Sequence, residues 1–299
     1  MLFLILEPLK MQNFNSKLCI ETHVVENLEE DIRLQEYAVN IFEAIPTKTA
    51  LKKSIKKGLI TINGKLAYTS DWIENGQVLR IFAEDVKHKK KIFELEMDVV
   101  YEDDHLAVIN KPSGFPTNGN YFKTIENALP FNLKPSAEND RLPYPQPVHR
   151  LDNPTSGVLL IAKTQRSKSL LSVLFEENKI EKQYLAIAEG HLKPKQGRFN
   201  LDIEGKSSSS GYEVQHVFKK SDKDFSLVAL WPHTGRTHQL RIHLSSAGHP
   251  IAGDHQYGSS LKQLLFLHAK SIQFEHPKTH KSFIIETEIP HKFVKFIDA

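Results

Sequence analysis

The sequence predicts an α+β protein, and three observations carry that prediction. From residue 95 onwards, short runs rich in β-branched and aromatic residues recur at hairpin-like spacing, with few helical periodicities between them. Before residue 87 the texture differs: two short helical patterns precede short strand patterns. Between the two parts lies a lysine-rich stretch that fits neither. Segregated strands and helices imply a central mixed, mainly antiparallel sheet with few helices, rather than a doubly wound parallel one. The expected organisation is an extension over 1–25, a small α+β module over 26–86, a basic linker over 87–94 and a large domain over 95–299.

In the small module, Leu34, Tyr37, Ala38, Ile41 and Phe42 recur at helical spacing behind Asp31, a suitable N-cap. Pro46 ends that helix, and Thr47 can cap a second, "KTALKKSIKK", which stops at Gly58. A strand over 59–62, an Asn63-Gly64 turn and a strand over 78–82 follow. Lys48, Lys52, Lys53, Lys56, Lys57 and Lys65 fall between positions 47 and 65 with no acidic residue among them. Such a run is either a solvated helix face or a surface that tracks phosphates. Lys87, Lys89, Lys90 and Lys91 mark the linker.

In the large domain the strand patterns are "LAVIN" (106–110), "GVLLIA" (157–162), "YLAIA" (184–188), "YEVQHVF" (212–218), "FSLVALW" (225–231), "LLFLHA" (264–269) and "FIIETEI" (283–289). Helical patterns cover 166–178 and 237–247, and "GKSSSSG" (205–211) reads as a polar loop.

Composition narrows the class. The 299 residues are 40% hydrophobic and 25% charged, as in soluble globular proteins, and the net charge of +3 permits an anionic partner without demanding one. A single cysteine, Cys19, excludes an internal disulfide and a zinc site built on several cysteines. The apolar start "MLFLIL" is too short for a signal peptide or a membrane span, which predicts a cytoplasmic protein. Met1 and Met11 both offer a start of translation. Nothing in the sequence requires a dimer, so a monomer is expected.

Chemistry concentrates in two segments. "VHRLDNPTSGVLLIAKT" (148–164) puts His149, Arg150 and Asp152 at the mouth of a core strand. One reading is an Asx-type turn released by Gly157. The other is a carboxylate held ionised as a nucleophile or base, which requires a cationic partner. The second segment, "HTGRTHQLRIHLSSAGHPIAGDHQYG" (233–258), gives a helix capped at Thr237 and ended at Gly248. Leu240, Leu244 and Ala247 share its buried face, and Arg241 borders that stripe, as a snorkelling surface arginine or one that reaches a site. The histidines here lack metal-ligand spacing: His238 and His243 point about 140° apart on a helix. No metal is expected. Tyr184 is either a core residue with its hydroxyl at the rim or a ring that stacks on a flat substrate. "NKPSG" (110–114) reads as a strand-ending turn.

Together these segments resemble one family. "HRLDNPTSGVLLIAK" is similar to the signature of the RluA-type RNA pseudouridine synthases, and N-K-P-x-G before it, K-x-Y after it, G-R-T-H-Q-L-R-x-H (235–243), G-H-P-I-x-G-D (248–254) and L-H-A (267–269) follow in the family's order over residues 95–290. The small module resembles the alpha-L RNA-binding domain, in its lysine-rich helix, Gly58 and "ITING", although Gly76-Gln77 stands where Gly-Asp is common. The resemblance implies the pseudouridine synthase fold, a uridine already in RNA as substrate, and no cofactor. It implies catalytic roles for Asp152 at the sugar's anomeric carbon, Tyr184 at the uracil face and Arg241 as partner of the aspartate. It implies substrate binding by Arg150, which fills the gap left by the flipped base, and by His149 and Leu267. RNA binding falls to Lys52, Lys53, Lys56 and Lys57. Large-subunit ribosomal RNA is the expected target, with tRNA and a catalytically silent RNA-binding or ribosome-assembly factor as alternatives. A carboxylate glycosidase would need a second acid, and the resemblance gives the one candidate, Asp254, a structural role.

Overall fold

The computed structural model describes residues 18–39, 41–83, 91–261 and 263–298. Both candidate start methionines, and Lys87, Lys89 and Lys90 of the basic linker, lie outside these residues. The chain divides into two compact units, 1–88 and 89–299.

The first unit contains β1 (Cys19–Val24), β2 (Ile32–Arg33), α1 (Leu34–Tyr37), α2 (Lys48–Lys56), β3 (Ile60–Ile62), β4 (Lys65–Leu66), β5 (Trp72–Ile73) and β6 (Val78–Phe82). Its sheet runs β1-β6-β3-β4, and Leu34, Phe42, Leu51, Ile60 and Leu79 fill the core beneath it. Thr47 caps α2 as expected, its hydroxyl accepting from Ala50 N at 3.2 Å. Asn63 and Gly64 both have positive φ, 49° and 79°, which is what an Asn-Gly hairpin turn requires.

Two expectations fail here. Residues 19–24, expected in an extension, form β1 and pair with β6, so the small unit begins before residue 26. Asp31 caps nothing. Ile32 and Arg33 instead pair with Ile73 and Trp72, the Arg33 guanidinium lying 5.0 Å from the Trp72 ring centre. Tertiary strand pairing overrides the helical periodicity and leaves α1 a single turn.

The second unit contains β7 (Asp98–Glu102), β8 (Leu106–Lys111), α3 (Ile125–Asn132), β9 (Arg141–Pro147), β10 (Ser156–Thr164), α4 (Gln165–Glu176), β11 (Glu181–Glu189), β12 (Gln196–Ile203), β13 (Lys206–Lys220), β14 (Lys223–Pro232), α5 (Gln239–Ser246), β15 (Leu267–Glu275), β16 (Ser282–Glu286) and α6 (His291–Asp298). The main path of its sheet is β12-β13-β14-β11-β15-β10-β8-β7, with β16 paired to β15 and β9 to β10. Among the described residues only β10 and β15 run parallel; the other pairs are antiparallel. The mixed, mainly antiparallel sheet with few helices is therefore as the sequence implies. The continuous apolar run 157–162 becomes β10, buried along its whole length.

"GKSSSSG" is not a loop. Residues 206–211 open β13, and Ser208 and Ser210 are buried there while Ser207 faces out. Serine alternation is invisible to a hydrophobic pattern, but the buried hydroxyls have partners on α5. Ser208 Oγ lies 2.8 Å from His243 Nε2, and Ser210 Oγ accepts from Gln239 Nε2 at 2.8 Å. The serines dock the helix that carries Arg241.

Candidate active site

The loop between β9 and β10 is fixed on every side. Its first residue after Val148 is His149, whose Nε2 accepts from Leu160 N at 3.0 Å and whose ring stacks on Phe175 at 4.6 Å. Burial, with help from the nearby Lys182 charge, pushes this imidazole down to about 3, so it is a neutral acceptor. Next, Thr117 Oγ1 bridges Leu151, donating to its carbonyl at 3.0 Å and accepting from its N–H at 3.1 Å. Gly114 N donates to Asn153 O, and Ser113 Oγ to Pro154 O. Thr155 N donates to Asp152 O at 3.1 Å, closing the turn that the sequence suggests.

Under the loop sits Lys111, with no solvent exposure. Its ammonium donates to the carbonyls of Pro112, Asp152, Asn153 and Thr155 at 3.0, 3.3, 3.1 and 2.8 Å. Burial lowers its pKa to about 8, partly opposed by the Asp152 charge. "NKPSG" is thus more than a strand-ending turn: its lysine gathers the carbonyls of the Asp152 loop.

Asp152 lifts its carboxylate, about one-fifth exposed, between two cationic or potentially cationic groups. Arg241 Nη1 stands 3.6 Å from Oδ2, and His238 Nε2 stands 3.8 Å from Oδ1. Arg241 is buried, not at a border. Its fork is taken by Asp254, with Nε to Oδ2 at 2.7 Å and Nη2 to Oδ1 at 2.8 Å. Burial disfavours the guanidinium charge, but the Asp254 hydrogen bonds and charge outweigh that and raise its pKa. The expected Arg241–Asp152 pairing is therefore the looser of two.

The helix cap also differs from expectation. Thr237 does not cap α5; His238 takes the N-cap position with φ 54°. From that left-handed position its ring turns Nε2 to the loop and Nδ1 to Tyr257, whose Oη lies 2.9 Å away. The Tyr257 ring in turn lies 4.8 Å from the Arg241 guanidinium. From sequence, His238 reads only as a histidine without metal-ligand spacing, and Lys111 and Tyr257 have no role. Lys111 and His238 lie inside matched motifs, and Tyr257 lies three residues beyond one. Ala247, expected on the buried face, is exposed at the end of α5.

These groups border a cleft of about 540 Å³, a size suited to a small ring system and sugar. Asp152, Arg241, His238 and the exposed Arg150 line it, as do Tyr184, Lys182 and Leu267. Burial and the Asp152 charge both raise the Tyr184 pKa, so its phenol keeps its proton. His149 borders the same cleft, but its Nε2 is committed to the strand. Lys52, Lys53, Lys56 and Lys57 belong to the first unit, all exposed along α2. Among the described residues no group of three or more His, Cys, Asp and Glu side chains could hold a metal ion, and no helix is long and apolar enough to cross a membrane.

Comparison with known proteins decides the family. Residues 105–246 match the family described as RNA pseudouridylate synthase. A Vibrio cholerae protein named ribosomal large subunit pseudouridine synthase C is 32% identical over 302 residues, spanning 88% of this chain and 92% of that protein. The chain belongs to the RluA-type RNA pseudouridine synthases. It is accordingly an isomerase that acts on uridine in RNA. An uncharacterised RNA pseudouridine synthase of Bacillus subtilis is 32% identical over 268 residues, covering 81% of this chain and 88% of the relative. The structure named human RNA pseudouridylate synthase domain containing 4 shares the fold, with a TM-score of 0.55 at 24% identity over 66% of this chain and 90% of its own. The RluA-type signature therefore falls, in this chain, on the loop that Lys111 and Thr117 hold rigid.

Proposed function

We propose that this synthase converts uridine in large-subunit ribosomal RNA, with Asp152 acting at the anomeric carbon of a flipped nucleotide. The observation that carries the reading is the Asp152 carboxylate at 3.6 Å from Arg241 and 3.8 Å from His238, on the wall of a cleft that Tyr184 also lines. The printed names of the relatives supply the ribosomal target.

In this reading the target base leaves its stack, at a cost of a few kcal/mol, and phosphate contacts offset that cost. Arg150, exposed beside Asp152, fills the vacated stack. The bond between C1′ and N1 breaks as the carboxylate adds to, or electrostatically stabilises, the anomeric carbon. The uracil turns, C5 bonds to C1′, and the proton lost from C5 is balanced by the one N1 gains. No net acid or base is consumed. Tyr184 offers its ring to the uracil and donates from a hydroxyl that stays protonated. Arg241, braced by Asp254, holds a positive charge beside the Asp152 carboxylate. Leu267 closes the apolar side of the cleft, and His149 holds the loop rather than the substrate. The lysines of α2 bind RNA phosphates, and the enzyme works in the cytoplasm.

The test is Asp152→Asn on unmodified large-subunit ribosomal RNA, with pseudouridine mapped at single-residue resolution. Expected is complete loss of product with RNA affinity kept within about two-fold, since the change removes no cation from the phosphate-binding surface. Wild-type rates in the variant would overturn the role of Asp152. Unchanged ribosomal sites in cells lacking the gene would overturn the target.

A further inference from the structure

Lys182 is a cation in the cleft without an anion. It is part-buried and lines the cleft that contains Asp152 and Tyr184, and its ammonium has no hydrogen bond or ion pair among the described residues. Its neighbours in the fold are treated differently. Lys111 has its ring of carbonyls, Lys163 has Glu102 at 2.7 Å, Arg241 has Asp254, and Lys292 donates to Leu265 O at 2.6 Å. Glu176 borders the same cleft but is exposed and makes no ion pair with Lys182.

The lysine is also placed. Its ammonium lies 5.8 Å from the centre of the Phe175 ring, which is itself stacked on His149. That stack is a rigid shelf beside the lysine stem, two residues along β11 from Tyr184. Burial lowers the Lys182 pKa, as it does for an ammonium with no counter-ion beside it. Such an arrangement costs stability, and it persists where a ligand completes it. A uracil carbonyl is a neutral acceptor and leaves the charge uncompensated. A phosphodiester brings the missing negative charge and a strong charge-assisted hydrogen bond.

We propose that Lys182 is the phosphate anchor of the cleft: its ammonium takes a backbone phosphodiester adjoining the flipped uridine and so fixes how deeply that nucleotide seats against Asp152. This rests on the pseudouridine synthase reading above and adds the ligand of one residue to it. Seating depth matters because a small misplacement of reacting atoms lowers the rate steeply.

The test is a thermodynamic cycle. A hairpin RNA carrying one uridine that the wild type converts is made with natural phosphodiesters, or with a neutral methylphosphonate on one side of that uridine or the other. Affinity and single-turnover rate are measured for wild type, Lys182→Met and Lys182→Arg. Loss of a charge-assisted contact should weaken Kd about ten-fold in Lys182→Met, with Lys182→Arg largely restored. The slope of log K against log salt should flatten by about one. One of the two methylphosphonates should weaken wild type to the same degree and leave Lys182→Met unaffected. Without RNA, Lys182→Met should melt at a higher temperature than wild type, a gain that a merely structural lysine would not give. Unchanged affinity in Lys182→Met, or fully additive losses in the cycle, would overturn the proposal. If the wild type binds RNA but converts no uridine, the proposed function fails on its own. Lys182 is then judged on transcribed large-subunit ribosomal RNA by the salt slope of Lys182→Met, where a slope equal to wild type overturns it.

Discussion

Arg241 donates twice to Asp254, at 2.7 and 2.8 Å, and stands 3.6 Å from Asp152, and this inequality separates the two carboxylates. Asp254, 1% exposed, spends its charge on holding the guanidinium flat and still. Asp152 feels the same cation without being quenched by it, and stays open to a substrate. In the proposed reaction, a second arginine partner at hydrogen-bond distance would compete with the anomeric carbon for the same oxygen. Asp254→Asn should therefore harm both stability and chemistry. It leaves a buried guanidinium without its counter-charge, a change that costs about 3–5 kcal/mol. Urea unfolding measures the first effect, and single-turnover conversion measures the second, where the rate should fall as Arg241 turns towards Asp152.

At the scale of elements, the site depends on how closely β10 approaches β15. Gly157, φ +114°, lies so near β15 that a Cβ would sit 2.2 Å from Ala269 O and 2.7 Å from Ala269 N. Gly157→Ala should destabilise by about 3 kcal/mol or more, because neither backbone can yield without breaking the parallel pair. Denaturant unfolding checks it. Beside that contact, His268 is buried with Nδ1 2.9 Å from Ser156 Oγ and Nε2 2.9 Å from Thr287 Oγ1. Burial lowers its pKa to about 4, below its ordinary value of about 6.5. A depressed histidine contributes stability above its unfolded pKa and loses it as pH falls towards the folded one. Between pH 6.5 and 5 the unfolded chain takes up the proton first, and His268 alone accounts for a loss of about 1–2 kcal/mol. His268→Gln should make unfolding free energy less dependent on pH across that window.

The elements also show what a sequence can and cannot reveal. β8, β10, β11 and β14 lie where their apolar runs stand, and Thr47 caps α2, because each signal is local. β13 begins well before its apolar run because its buried serines face α5, a partner close in space and remote in sequence. The same holds for the site. The residues of the matched motifs, Asp152, Tyr184, Arg241 and Leu267, could be named in advance and do line one cleft. The Arg241–Asp254 fork, the His238–Tyr257 contact and the carbonyls around Lys111 could not, since each depends on side-chain direction after folding.

At the scale of the whole molecule, charge is divided between the two units. α2 exposes Lys52, Lys53, Lys56 and Lys57, while the second unit holds the cleft. Phosphate contacts contribute affinity without sequence information, and the cleft contributes the chemistry. Replacing those four lysines by glutamine in the full chain should reduce the salt slope by up to about 3 and raise KM, with single-turnover conversion at saturation unchanged. Binding titrations between low and physiological salt measure the slope, and an unchanged slope would remove α2 from the RNA interface.

The place of β15 in the sheet has a consequence in time. It lies between β11 and β10, so the half of the sheet bearing Tyr184 and the half bearing Asp152 touch through a strand made of residues 267–275. During synthesis, both halves leave the ribosome before their keystone does. The nascent chain can build each half early, but it cannot assemble an active cleft until that late segment has slid between them. The order of the strands in the sheet thus makes completion of the cleft one of the last events in the folding of a chain that grows from its N-terminus.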